Sequence, residues 1–178
     1  MYCEWAEMHV RHNNLSSALQ IMKHAVSNKR PKQHLVSNIR AWHFYIDLLS
    51  AAGETDDEQW AYEHCLELKI ATPLTVLNYA AMLQQQNKFE ESFRVFERAT
   101  QMFHWPQSFE LWLTYLSTFI QVLGGAKVER VRHLFQECLK DCTTEHKRFL
   151  LLIWADYEEN FGLLSHAMEV YEQAASDN

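Results

Sequence analysis

Ten histidines and four cysteines among 178 residues are the first candidates for chemistry. The densest group is His133, Cys138, Cys142 and His146. A structural zinc site needs four ligands converging tetrahedrally, normally with a CxxC-type knuckle, and no CxxC spacing occurs in the chain. Covalent catalysis needs a nucleophile, a base and an orienting group held in a rigid pocket. The sequence contains no GxSxG, no HExxH and no phosphate-cradling glycine loop. Glu63-His64 and Glu145-His146 are adjacent pairs, and adjacent residues on a helix do not share a face. Asp156, Glu158 and Glu159 read as a solvated or helix-pairing edge rather than an acid/base pair. No catalytic, metal or cofactor-binding residue is therefore expected, and the chain is not expected to be an enzyme.

Aromatic rings can stack on nucleic-acid bases, worth about 1–3 kcal/mol each. The helical spacing of Trp5, Trp42, Trp112, Tyr115 and Trp154 instead assigns them to a core. Trp60, outside the inward columns, and Trp105, beside Pro106 in a connection, are the candidate exposed anchors for a partner helix. The net charge is −7, but residues 1–46 hold two acidic and six basic side chains, with no acidic residue between Glu7 and Asp47. Lys29, Arg30, Lys32 and Arg40 form a candidate contact for an acidic protein surface or a phosphate backbone.

The elements that position these residues are helical. Four glycines and three prolines are too few for a sandwich or barrel, which needs a turn every 8–12 residues or so. Apolar residues make up 48% of the chain, enough to bury a core. The longest apolar run, residues 149–155, stops at Asp156, far short of the roughly 18–20 residues of a membrane span. Residues 1–5 lack the basic and apolar regions of a signal peptide. The cysteines are expected to be reduced thiols.

The chain lines up with itself five times. Tyr2, Trp42, Val76, Trp112 and Leu151 lead the units, 34 to 40 residues apart, and three residues on stand Trp5, Tyr45, Tyr79, Tyr115 and Trp154. That period belongs to helix-pair repeats. The second half of each unit also recurs, with Phe96, Phe135 and Tyr171 at one register position. A small-residue column follows: Ala25, Cys65, Ala99, Cys138 and Ala174. Such a column fits close helix approach. Asn13, Gly53, Asn87 and Gly162, eleven residues after their leaders, are of types that tolerate the left-handed turn ending a helix. Pro31, Pro73 and Pro106 precede first helices. The units span about 1–28, 38–70, 73–102, 107–141 and 145–176 of a single array.

The tryptophan and tyrosine spacing, followed by a second helix such as Ser92-Phe93-Arg94-Val95-Phe96-Glu97-Arg98-Ala99, resembles the half-a-tetratricopeptide (HAT) repeat. Asn78-Tyr79-Ala80, Phe89-Glu90-Glu91-Ser92-Phe93, Trp105-Pro106, Leu111-Trp112, Gly124-Gly125 and residues 167–172 resemble, more closely, the HAT pre-mRNA-splicing factors of the nineteen complex. Glu58, Val76, Leu83 and His9 depart from the family's pattern. The resemblance implies an all-α, right-handed α-solenoid of about five HAT/TPR-like antiparallel helix pairs. It also implies a nuclear spliceosomal scaffold without cofactor, with some members linked to transcription-coupled repair. The implied partners are a crooked-neck-type HAT protein, small helical splicing factors and an Aquarius-type helicase, with RNA contact indirect and no membrane. Members are longer, so the chain is expected to be a fragment or truncated product. The alternatives are a HAT scaffold for 3′ end cleavage or ribosome biogenesis, or direct RNA binding through the basic segment 23–40.

Overall fold

The computed structural model describes residues 2–27 and 38–176, and among these it contains ten α-helices and no strand. The helices come in consecutive pairs: α1 (Tyr2–Arg11) with α2 (Leu15–Ser27), α3 (Ile39–Ala52) with α4 (Thr55–Glu67), and α5 (Pro73–Gln85) with α6 (Phe89–Met102). They continue with α7 (Phe109–Leu123) and α8 (Val128–Lys140), then α9 (Thr144–Phe161) and α10 (Leu164–Ser176). The chain divides into two compact units, Met1–Tyr79 and Ala80–Asn178.

Each tight turn has a local cause. Asn13, Gly53 and Asn87 adopt φ of 55°, 74° and 60°, the left-handed conformation that their residue types accept at low cost. Gly162 departs from that expectation, with φ −111°. What excludes a side chain there is crowding, since a Cβ would lie 1.9 Å from the Glu158 carboxylate. Pro73 opens α5, where its missing N–H does no harm. Thr72 and Thr75 close that first turn reciprocally, each hydroxyl accepting the other's backbone N–H at 3.3 and 3.1 Å. Pro31 lies outside the described residues.

Within each unit the core is a ladder of rings. Tyr62 of α4 stacks on Tyr79 of α5 with centroids 5.0 Å apart; Phe96 of α6 stacks on Tyr115 of α7 at 5.3 Å; Phe135 of α8 stacks on Trp154 of α9 at 5.5 Å. In each case a second-helix ring covers the ring that stands three residues after the next leader. Fully burying a ring of this size stabilises by roughly 1.5–3 kcal/mol, and a helix pair alone leaves it uncovered. The small column is buried throughout: Ala25, Cys65, Ala99, Cys138 and Ala174.

Three rings assigned to the core from sequence differ. Trp5 is 50% exposed. Its column is buried elsewhere under a preceding helix pair, which at Tyr79, Tyr115 and Trp154 supplies a covering ring, and the described residues include no pair before α1. Ala6, about 100° further round the helix, is the buried position of α1. Trp112 and Tyr171 are only half-buried. Trp112 borders an open cleft, and no described helix follows α10 to cover Tyr171.

Candidate protein-interaction surface

Of the candidate contact residues, Arg40, Trp60 and Trp105 lie among the described residues. Lys29, Arg30 and Lys32 lie outside the described residues. Arg40 is exposed in the first turn of α3, where its backbone N–H donates to the Asn38 side chain at 3.1 Å. Trp60 is 47% exposed on α4. Its ring stacks on His64 at 5.1 Å, and both rings lie against buried Trp42. Trp105 is half-buried in the connection between α6 and α7, tilted against Phe109 at 6.0 Å and His146 at 5.8 Å.

One arrangement of polar and aromatic side chains was not visible in the sequence. A cleft of about 1280 Å³ opens between α6, α7 and α8. Trp105, Trp112 and Tyr115 supply its aromatic wall, with Ser108 beside them; Glu97, Glu129, Glu137 and Asp141 line it with carboxylates. Arg130 is the guanidinium of the cleft and donates to Glu97 at 2.7 Å, while its charge sits 5.7 Å from the Phe119 ring centroid. The Tyr115 hydroxyl donates to the same carboxylate at 3.1 Å. Burial and the Glu97 charge raise the Tyr115 pKa, so the phenol stays protonated. A hydrogen bond from Lys140 lowers the Glu137 pKa and keeps that carboxylate ionised. The Ser108 hydroxyl is buried and has no hydrogen-bond partner among the described residues.

A buried ion pair joins α8 to α9. Arg132 donates from two nitrogens to the two oxygens of Glu158, both at 2.7 Å. The Trp154 indole N–H donates to the same carboxylate at 3.2 Å. Glu158 is fully buried, and these donors lower its pKa, with the Arg132 hydrogen bond as the largest cause. It follows the inward stripe of α9, and it pairs helices rather than standing in solvent. Glu58, a departure from the family pattern, is likewise buried, and desolvation raises its pKa.

The histidines and cysteines considered for metal binding stay apart. Cys138 is buried in the small column, His133 lies on the exposed side of α8 near Glu137, and the Cys142 thiol faces the Thr143 carbonyl. His146 shares a hydrogen bond with the Thr143 hydroxyl at 2.8 Å. Among the described residues no three His, Cys, Asp or Glu side chains are grouped to hold a metal.

The sequence matches, over residues 1–178, the family described as the pre-mRNA-splicing factor Syf1/CRNKL1 C-terminal HAT repeat. It is 40% identical over 187 aligned positions to the pre-mRNA-splicing factor SYF1 of Mycosarcoma maydis, covering 98% of this chain and 17% of that protein. Human SYF1 is 36% identical over 185 positions, covering 98% and 22%. The Schizosaccharomyces pombe splicing factor cwf3 is 35% identical over 187 positions, covering 98% and 24%. The chain thus spans about a fifth of the length of these relatives. Among solved structures, the TPR protein YrrB, described as having an unusual peptide-binding site, superposes with a TM-score of 0.51 at 11% identity, covering 99% of this chain and 84% of its own. At that identity the likeness concerns the fold alone, which is an all-α arrangement of TPR-like helix pairs.

Proposed function

Because this chain belongs to the Syf1/CRNKL1 C-terminal HAT-repeat family, we propose that it is a scaffold segment of the splicing machinery, acting in the nucleus by holding other proteins rather than by catalysis. The observation that carries the reading is the use made of the rings. Tyr79, Tyr115 and Trp154 are spent on stacking between helix pairs, whereas the side chains left accessible are arranged as contact surface: Trp60 over its histidine, and the acid-lined cleft. A stack of helix pairs presents extended surface to partners without needing a reactive centre. The names of the relatives support splicing as the process. By family resemblance the partners are a crooked-neck-type HAT protein, small helical splicing factors and an Aquarius-type helicase.

The test is affinity purification of the endogenous protein, followed by mass spectrometry and sequencing of bound RNA. Splicing proteins and spliceosomal small nuclear RNAs should be recovered. Recovery of cleavage or ribosome-biogenesis factors in their place would reassign the scaffold. If the purified chain bound RNA by itself with affinity falling steeply in salt, RNA binding would become its main activity.

A further inference from the structure

We propose that the cleft between α6, α7 and α8 is a docking site for an arginine-bearing segment of a partner protein. The proposal rests on the scaffold reading only in taking the partner to be a protein. Pockets for small molecules occupy about 300–1,000 Å³, and a cleft of about 1280 Å³ has room for several side chains of a peptide. Its chemistry selects the occupant. Four carboxylates line it against one guanidinium, and that guanidinium is already committed to Glu97. Glu129 is paired with Arg132 and Glu137 with Lys140, so Asp141 is the lining carboxylate that forms no ion pair among the described residues. A phosphate backbone would be repelled here, and a cation attracted.

The aromatic wall narrows the choice from cation to arginine. A planar guanidinium lays its face on a ring while its in-plane N–H groups donate in bidentate fashion to carboxylates, a combination that the compact ammonium lacks. The cleft holds its own example of that mode, since Arg130 lies over the Phe119 ring while donating to Glu97. Ser108 adds a separate indication. A buried hydroxyl without a partner is uncommon in a folded protein, and this one borders the cleft, where a donor from an incoming side chain would satisfy it.

The experiment uses the full chain and a fluorescein-labelled peptide alternating arginine with alanine, alongside lysine and glutamate versions of it. Binding is followed by fluorescence anisotropy at physiological salt. Glu137 and Asp141 are reversed together (Glu137→Lys with Asp141→Lys). As a control of equal net charge, Glu169→Lys is combined with Glu172→Lys on α10. Asp141, Glu169 and Glu172 are exposed and Glu137 is half-buried, and each double reversal removes one i,i+3 surface pair, so circular dichroism melts should nearly superpose. The cleft reversal should weaken the arginine peptide about tenfold or more, and the control less than about twofold. The lysine peptide should bind several-fold more weakly, and the glutamate peptide not at all. In nuclear magnetic resonance spectra the indole signals of Trp105 and Trp112 should shift on titration while that of Trp60 stays fixed. Equal binding by the two charge variants, or tight binding of the glutamate peptide, would overturn the assignment. So would a self-associated chain that the cleft reversal alone disperses, because a second copy would then be the occupant. Failure to recover splicing proteins with the endogenous chain would defeat the functional reading while leaving the peptide result standing. Equal binding by the two variants would defeat the cleft assignment and leave that recovery untouched.

Discussion

Replacing Arg132 by methionine should destabilise the chain far more than a surface substitution would. Glu158 is fully buried, and its charge is met by two Arg132 nitrogens at 2.7 Å and the Trp154 indole at 3.2 Å. Methionine roughly keeps the length of the stem and removes both charged donors, leaving a desolvated carboxylate with only neutral donors, the Trp154 indole and the Leu163 backbone N–H. Removing one partner of a buried ion pair costs about 3–5 kcal/mol, which in a chain of this length lowers the melting temperature by roughly 6–20 °C. The double variant Arg132→Met with Glu158→Leu removes the stranded charge and should recover most of that loss. Acid provides an independent check. The folded pKa of Glu158 lies below its ordinary 4.5, so its stabilisation is complete above that value and is lost as pH falls through the lower folded value. Wild-type stability should therefore decline below about pH 4.5 more steeply than that of the double variant. Urea titrations followed by circular dichroism measure each quantity. A loss under about 1 kcal/mol for Arg132→Met, or no recovery in the double variant, would refute the reasoning.

Three further outcomes are expected. Tyr79→Phe and Tyr115→Phe, which remove the hydroxyls donating to Glu63 at 2.9 Å and Glu97 at 3.1 Å, should each cost about 1 kcal/mol in urea unfolding. Ala99→Leu, placed in the buried small column, should destabilise by about 1–3 kcal/mol or more, while the same change at exposed Gln101 should be nearly neutral. In iodoacetamide labelling read by mass spectrometry, Cys3 should react in the native chain. Cys65, whose thiol burial pushes up to about 12, and buried Cys138 should react only on unfolding.

The parts legible in the sequence were those written as fixed offsets. The leaders, the rings three residues on and the small column each recur once per unit, the turn residues Asn13, Gly53 and Asn87 stand at one offset in three units, and local helix geometry turns each offset into a face. The cleft was illegible for the opposite reason. Glu97, Ser108, Trp112 and Asp141 share no period and meet only through the crossing of three helices. Glu158 could be seen on the inward stripe of its helix, but Arg132 sits in the preceding pair, and nothing local couples the two. Trp5 obeyed the pattern and is still half-exposed, since burial in this architecture is supplied by the neighbouring pair and not by the residue's own helix. Gly162 showed that a glycine at a turn position can be required by a carboxylate overhead instead of by a positive φ.

The central claim, that this chain serves splicing as a protein scaffold, is tested most directly by sequencing cellular RNA after acute depletion of the endogenous protein. Introns should be retained across many transcripts within hours and removed again on re-expression of the wild-type protein. Intron removal that continues unchanged after depletion would contradict it.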